Sequence, residues 1–214
     1  MRMEKIEGIG TISGGVYDEI SIEGVGNFKG DIKAVRIDVE GVLNSYGMIE
    51  ADEFNCEGVS KLTKSLRVKH LRIEGTLKQE KDKIEADDIH CEGTLTSYDE
   101  ISADNIVVEG LISAPELYGE HIKINHNGCF VSSDIVPNIF RFLHNSTFGK
   151  TYSNVDLMEA TTIDICGVNA KSVRGNIITI GPDCRIDEVD CNGTLRIHPN
   201  AIVRKISGVS PISW

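Results

Sequence analysis

Seven glutamates in this chain each stand directly before a glycine at near-constant intervals: Glu7, Glu23, Glu40, Glu57, Glu74, Glu92 and Glu109. Carboxylates that recur at one place on a regular scaffold could gather cations along a stripe. Calcium-binding β-rolls, however, build such sites from Gly-Gly-x-Gly-x-Asp turns, which this sequence lacks. The column is therefore expected to be a solvated acidic stripe. Its self-repulsion would be screened by salt and relieved by neighbours such as Arg72 and His90.

Other candidate chemistry is thinner. Phe148-Gly149-Lys150-Thr151 ends like a phosphate loop, but a Walker A motif needs a glycine where His144 stands. His121 and His126 raise a zinc question. The alternation of Ile122 and Ile124 between them reads as a strand, which puts the two side chains on opposite faces and their backbones about 16 Å apart. His126 is then expected at the inward position that Cys91 and Val108 fill in earlier copies. The six cysteines form no Cys-x-x-Cys pair. Cys56, Cys91 and Cys191 precede Glu-Gly or Asn-Gly where Val or Ile stands elsewhere, so they read as buried reduced thiols serving as small hydrophobes. No catalytic, cofactor-binding or metal-binding residue is expected.

The elements that position these residues follow from the same glycines. Gly8, Gly24, Gly41, Gly58, Gly75, Gly93 and Gly110 recur at a short and nearly constant interval, with a degraded copy at His126-Asn127-Gly128. Around them apolar or small residues alternate with polar ones, as in Ile106, Val108, Gly110, Ile112 and Ala114, the period of a strand with one buried face. So short a period, about 17 residues with no helix-length pattern inside it, is a solenoid signature. At strand rise one period makes a circuit of about 56 Å, or three sides of ordinary strand length. The expected fold is all-β: a parallel, right-handed, triangular β-helix with coils of about 17 residues. In it the inward glycine would relieve crowding at a corner. The turn Gln79–Lys83 reads as a charged corner that lengthens its coil slightly beyond the common period.

One solenoid domain is expected overall. Residues 1–128 are the regular array, and 129–154 an aromatic-rich excursion with a short helix from Pro137 through His144. Residues 155–214 continue the β-helix to the C-terminal end. With 22 Lys+Arg against 33 Asp+Glu, the net charge of −11 argues against nucleic acid as a partner and against an electrostatic anchor on anionic lipid. No apolar run is long enough for a signal peptide or a membrane span, so a cytoplasmic protein without membrane insertion is expected.

A solenoid ends in unpaired strand edges over an apolar interior, and polar terminal caps normally keep it soluble. Here the first coil begins almost at once, with Gly8, Gly10, Gly14 and Gly15, and the last is followed only by a short tail. Bare ends favour stacking of copies, with Ile6, Ile12, Ile202 and Ile206 as candidate self-assembly residues and the chain itself as partner. At this point the sequence resembles the bactofilins, bacterial polymer-forming cytoskeletal proteins. The resemblance rests on the coils over 6–128 and on Val173-Arg-Gly-Asn-Ile-Ile-Thr-Ile-Gly-Pro-Asp-Cys184-Arg-Ile-Asp-Glu-Val189, which is similar to Firmicutes members. It implies nucleotide-independent, non-polar filaments and a scaffold role serving envelope-associated or other client proteins. The excursion and the short tails depart from that pattern. Two other readings compete. Ile180-Gly-Pro, Ile197-His198-Pro-Asn-Ala-Ile202 and an aromatic loop would suit a hexapeptide-type acyltransferase with a catalytic histidine at a coil boundary. The acidic face or the 129–154 loop would suit a monomeric protein-binding module.

Overall fold

The computed structural model describes residues 2–125 and 152–212. Along Ile32–Val39 the inward residues are Ile32, Ala34, Ile37 and Val39, and two successive outward residues, Val35 and Arg36, interrupt the alternation. That double step is a corner: the chain turns, and the next inward pair lies on a second face. Glu40-Gly41 makes another corner, after which Leu43 and Ser45 point inward on a third face. The turn at 46–48 closes the coil. Three faces with two inward residues each, and a corner between successive faces, account for the length of the repeat.

Coils stack in parallel and in register, joining 18 strands among the described residues into one sheet wound on itself. Register puts like residues over like. One inward column runs Ile20, Ile37, Phe54, Leu71, Ile89, Ile106 and Ile122. It continues as Ile163, Ile178 and Leu195. Each of these side chains is at most 1% exposed, so the core is a single rod of stacked apolar side chains, mostly aliphatic. Burying one such side chain contributes about 1.5–3 kcal/mol, which neighbouring coils share because no coil can bury its own face alone. No helix occurs among the described residues.

The glycine column has a cause that differs from the expected one. A Cβ on Gly58 would lie 2.0 Å from the carbonyl oxygen of Gly41, and the same distance recurs along the column from Gly24 to Gly110, each time to the glycine one coil earlier. The obstruction is axial, against the preceding coil, and not radial, against the interior. At the same corner the Val39 carbonyl accepts from both the Glu57 and the Gly58 N–H groups, each at 2.9 Å. Pulling two donors onto one acceptor draws the coils together there. Gly8 supports this cause, because it stands in the first coil and a Cβ there meets nothing within 4 Å.

Coil length varies where the register shows it. The corner after Gln79 carries one extra residue, so Leu62 pairs with Gln79 but Leu66 with Ile84. Asp82 absorbs the added turn at φ 60°, and the buried Gln79 amide donates to the Lys64 and Lys81 carbonyls. Beyond residue 152 coils shorten, Ile163 pairing with Ile178. The strands Leu111–Asn125 and Ser153–Cys166 pair directly, from Ser113↔Asn154 to Asn125↔Cys166. The array is therefore continuous across the chain between them.

Three sequence expectations need correcting. The coil resumes at Ser153, ahead of the expected end of the excursion at residue 154. Ile124 pairs with Val108 and so continues the Cys91 column that His126 was expected to join. Cys191 pairs with Gly175 and Gly208, which puts it at another corner from Cys56 and Cys91. The short helix, the glycine at 128 and the phosphate-loop-like residues 148–151 fall outside the described residues.

These contacts give a position-specific expectation. Replacing Gly58 with alanine should cost about 3 kcal/mol or more, because backbone must move, whereas Gly8→Ala should stay within about 0.5 kcal/mol. Urea unfolding of the two variants measures the difference; equal losses would contradict the axial account.

Candidate functional site

The interior carries little chemistry. Among the described residues its buried polar side chains are Ser45, Ser60, Gln79, Ser97 and Ser153, and its free thiols are Cys56, Cys91, Cys184 and Cys191. Cys166 is disulfide-bonded, which nothing in its spacing announces. Burial pushes the Cys91 thiol up to about 12 and that of Cys184 to about 11, and raises Cys56 too, although Ser60 lies 3.2 Å from its sulfur. Nucleophilic cysteines need the opposite shift. Among the described residues no group of three or more His, Cys, Asp or Glu could hold a metal ion. No helix among them is long and apolar enough to cross a membrane.

The outer faces hold charge ladders. The Glu-Gly stripe is neutralised in part, Lys5 lying 2.9 Å from Glu7 and 3.0 Å from Glu23. Arg72 lies 2.8 Å from Glu74 and 3.1 Å from Glu92, and His90 is 3.0 Å from Glu92, as the sequence led one to expect. Another column alternates in sign, Lys33 pairing with Glu50 and Arg67 with Glu85. Such exposed pairs contribute little each, but alternation prevents like charges from stacking one strand apart. The surface hollows lie between these ladders, one of them lined by Arg36, Asp38, Asn55, Arg72 and Glu74. His121 is exposed, between Asn105 and Thr162 in its column. His198 is held in a turn, its Nδ1 accepting from the Asn200 N–H at 3.1 Å.

The ends differ from each other. At the N-terminal end Ile6 and Ile12 occupy inward columns and are 7% and 4% exposed. Ile6 lies over Gly10, where a Cβ would come within 3.0 Å of it. The Arg2 guanidinium sits 4.0 Å above the Tyr17 ring and donates to its hydroxyl at 2.8 Å, while the Arg2 carbonyl accepts from the Asp18 N–H. Glu4 pairs with Ile20 and thus stands in the inward column described above. This end carries polar covering that the glycine-rich sequence did not suggest. Its signal was present, because Glu4 precedes Ile20 by the same interval that separates Gly8 from Gly24.

At the C-terminal end the strand Ile202–Gly208 is the last full one among the described residues. Ile202 is 57% and Ile206 40% exposed, although Ile206 pairs with the fully buried Val189. Arg204 and Lys205 are turned back to Asp187 at 2.9 Å and Glu188 at 2.6 Å. Their charge is thus engaged by the preceding coil. The tail crosses the remaining face through one bridge, Arg196↔Ile212, and leaves Ile212 half exposed. Sequence reasoning missed Ile212, since an isolated bridge has no periodic signature.

Comparison with known proteins adds a local similarity. The chain is 42% identical over 48 residues to "Uncharacterized protein YhbE" of Bacillus subtilis (strain 168), a match covering 22% of this chain and 20% of that protein. No family model matches, and no solved structure matches.

The raised thiols predict a pH effect. Because folding holds Cys91 and Cys184 above the ordinary thiol value of 9.0, their contribution is complete below it. It is lost as pH rises toward their folded values, since the unfolded chain ionises first. Stability should fall from about pH 9 upward, more steeply than in a Cys91→Val variant. At pH 8 a thiol reagent should label these residues only in denaturant; rapid labelling of the folded protein would contradict their burial.

Proposed function

We propose that this protein is a nucleotide-independent, polymer-forming cytoskeletal scaffold of the bactofilin kind, whose copies join through the ends of the solenoid. The observation that carries this reading is the apolar edge of the last coil: Ile206 stands exposed above a column of buried aliphatics, next to exposed Ile202 and Ile212. A second copy laid on that edge would extend the apolar column and pair the strand groups that the last coil leaves open. A second support is that the functional capacity of the long faces is low. Several of their charges are paired from coil to coil in ladders, and the buried thiols are unsuited to nucleophilic work. Client proteins would then bind along a rod whose length is set by assembly.

Electron microscopy and sedimentation of the purified chain test this. Filaments or high-mass species should form without nucleotide. Ile206→Arg should raise the concentration needed at least about tenfold, since a charge would be buried in the joint, while the melting temperature of the coils stays close to the parent value. A parent chain that remains monomeric at high concentration would overturn the proposal.

A further inference from the structure

The inward column of Ile20 is aliphatic or aromatic through every full coil of the described array, and its departure is at the N-terminal end. There Glu4 pairs in register with Ile20, which is itself wholly buried. Upward the members are Ile37, Phe54, Leu71, Ile89 and Ile106. An acid in an inward register position is tolerated only because no described coil lies beyond it: Glu4 is exposed, as is the rest of its strand except Ile6. The two nearby cations are engaged elsewhere, Lys5 by Glu7 and Glu23, and Arg2 by the Tyr17 ring and hydroxyl. A copy stacked on this end would therefore enclose a carboxylate against the apolar column, with neither of these two described cations free to neutralise it, which is strongly unfavourable. Short edge strands and inward-pointing charges are the devices by which sheets discourage pairing with another chain. The strand Met3–Ile6 has both, being 4 residues long against 7 for Ile202–Gly208.

We infer that Glu4 restrains the N-terminal end from stacking on a second copy of this chain, so that the joint made there is the weak one and sets the length of the assembly. This rests on the scaffold reading above and deepens it. The C-terminal end has no matching device among the described residues: its inward position next to the edge is Ile206, and its cations are turned back toward the preceding coil. Joining through the C-terminal end is thus unrestrained, whereas continuation through the other end carries the cost of enclosing Glu4.

The test compares the full chain with Glu4→Ile, Glu4→Gln and Ile206→Arg by sedimentation and negative-stain microscopy at one salt concentration. Glu4→Ile continues the apolar column and should lower the concentration for half-assembly at least tenfold and lengthen the particles, with Glu4→Gln between it and the parent. Melting temperatures check that the fold is intact. The doubly changed Glu4→Ile, Ile206→Arg protein reports which surfaces meet. A dimer places two N-terminal ends together, and a monomer places N-terminal against C-terminal ends; either supports the restraint, provided Glu4→Ile alone strengthens assembly. If the parent assembles and Glu4→Ile assembles no better, the restraint is wrong while the scaffold reading stands. If neither associates, the scaffold reading falls and takes this inference with it.

Discussion

The structure depends on how closely one coil can lie on the next at the Glu-Gly corner. Two backbone N–H groups converge on a single carbonyl of the preceding coil, and the following glycine comes so near that a Cβ would overlap the oxygen below it. Sheet stacking by itself fixes only the spacing between strands. The corner contact fixes in addition where the chain turns, and so which residues fall inside. Once that is set, each inward position inherits the neighbours of its counterpart one coil away, and the aliphatic columns follow. The glutamate that accompanies each glycine is best understood as a by-product of the turn. It points outward where only water and the flanking cations can reach it.

The same repetition that builds the core constrains the outside. In-register stacking puts identical outward positions one strand apart, so a column of one charge would repel itself along its whole length. Alternation of sign relieves this in the Lys33, Glu50, Arg67, Glu85 column. Amide side chains do so elsewhere: Asn55 donates to Asp38 at 2.7 Å, Asn105 to Asp88 at 2.8 Å, and Asn44 to Asn27 at 3.3 Å. Each of these contacts is satisfied by the coil above or below.

Much of this was legible in the sequence, because a solenoid repeats its instructions. The glycine period and the apolar alternation specified short parallel coils of near-constant length, the three faces, and the lengthened corner after Gln79. Less legible was anything that depends on the axial direction. Alternation marks inside and outside, but it does not show that the glycine must clear the coil beneath it and not the core beside it. Register is hidden wherever a coil departs from the common length. Cys191 precedes Asn-Gly as Cys91 precedes Glu-Gly, yet it pairs with Gly175, and the Cys91 column runs through Ile165 and Ile180 to Ile197 instead. A shortened coil has a like effect: Ile106 pairs with Ile122, so Ile124 takes the place expected for the histidine at 126, which lies outside the described residues. The candidate assembly residues Ile6, Ile12, Ile202 and Ile206 could be named from their nearness to the chain ends. Their exposure could not: that of Ile6 depends on the small neighbour at Gly10, and that of Ile206 on the cations beside it turning back to the preceding coil.

A quasi-one-dimensional fold moves the question of function to its two ends. Within the rod every coil has two partners, and a change at one level is felt chiefly by its neighbours. A terminal coil has one partner, and its free side must be covered, made polar, or joined to something of matching section. The structure answers differently at each extremity. Small residues let Ile6 fold across the opening at the start of the chain, with Arg2 and Glu4 providing charge. At the other extremity Ile206 and Ile202 remain open, while the basic residues beside them reach back to Asp187 and Glu188. Had those cations pointed forward, they would have made a polar cap; satisfied from behind, they leave an apolar edge. The described residues leave an apolar edge at one end and a charged one at the other, and the difference between them lies in a few side chains on otherwise interchangeable coils.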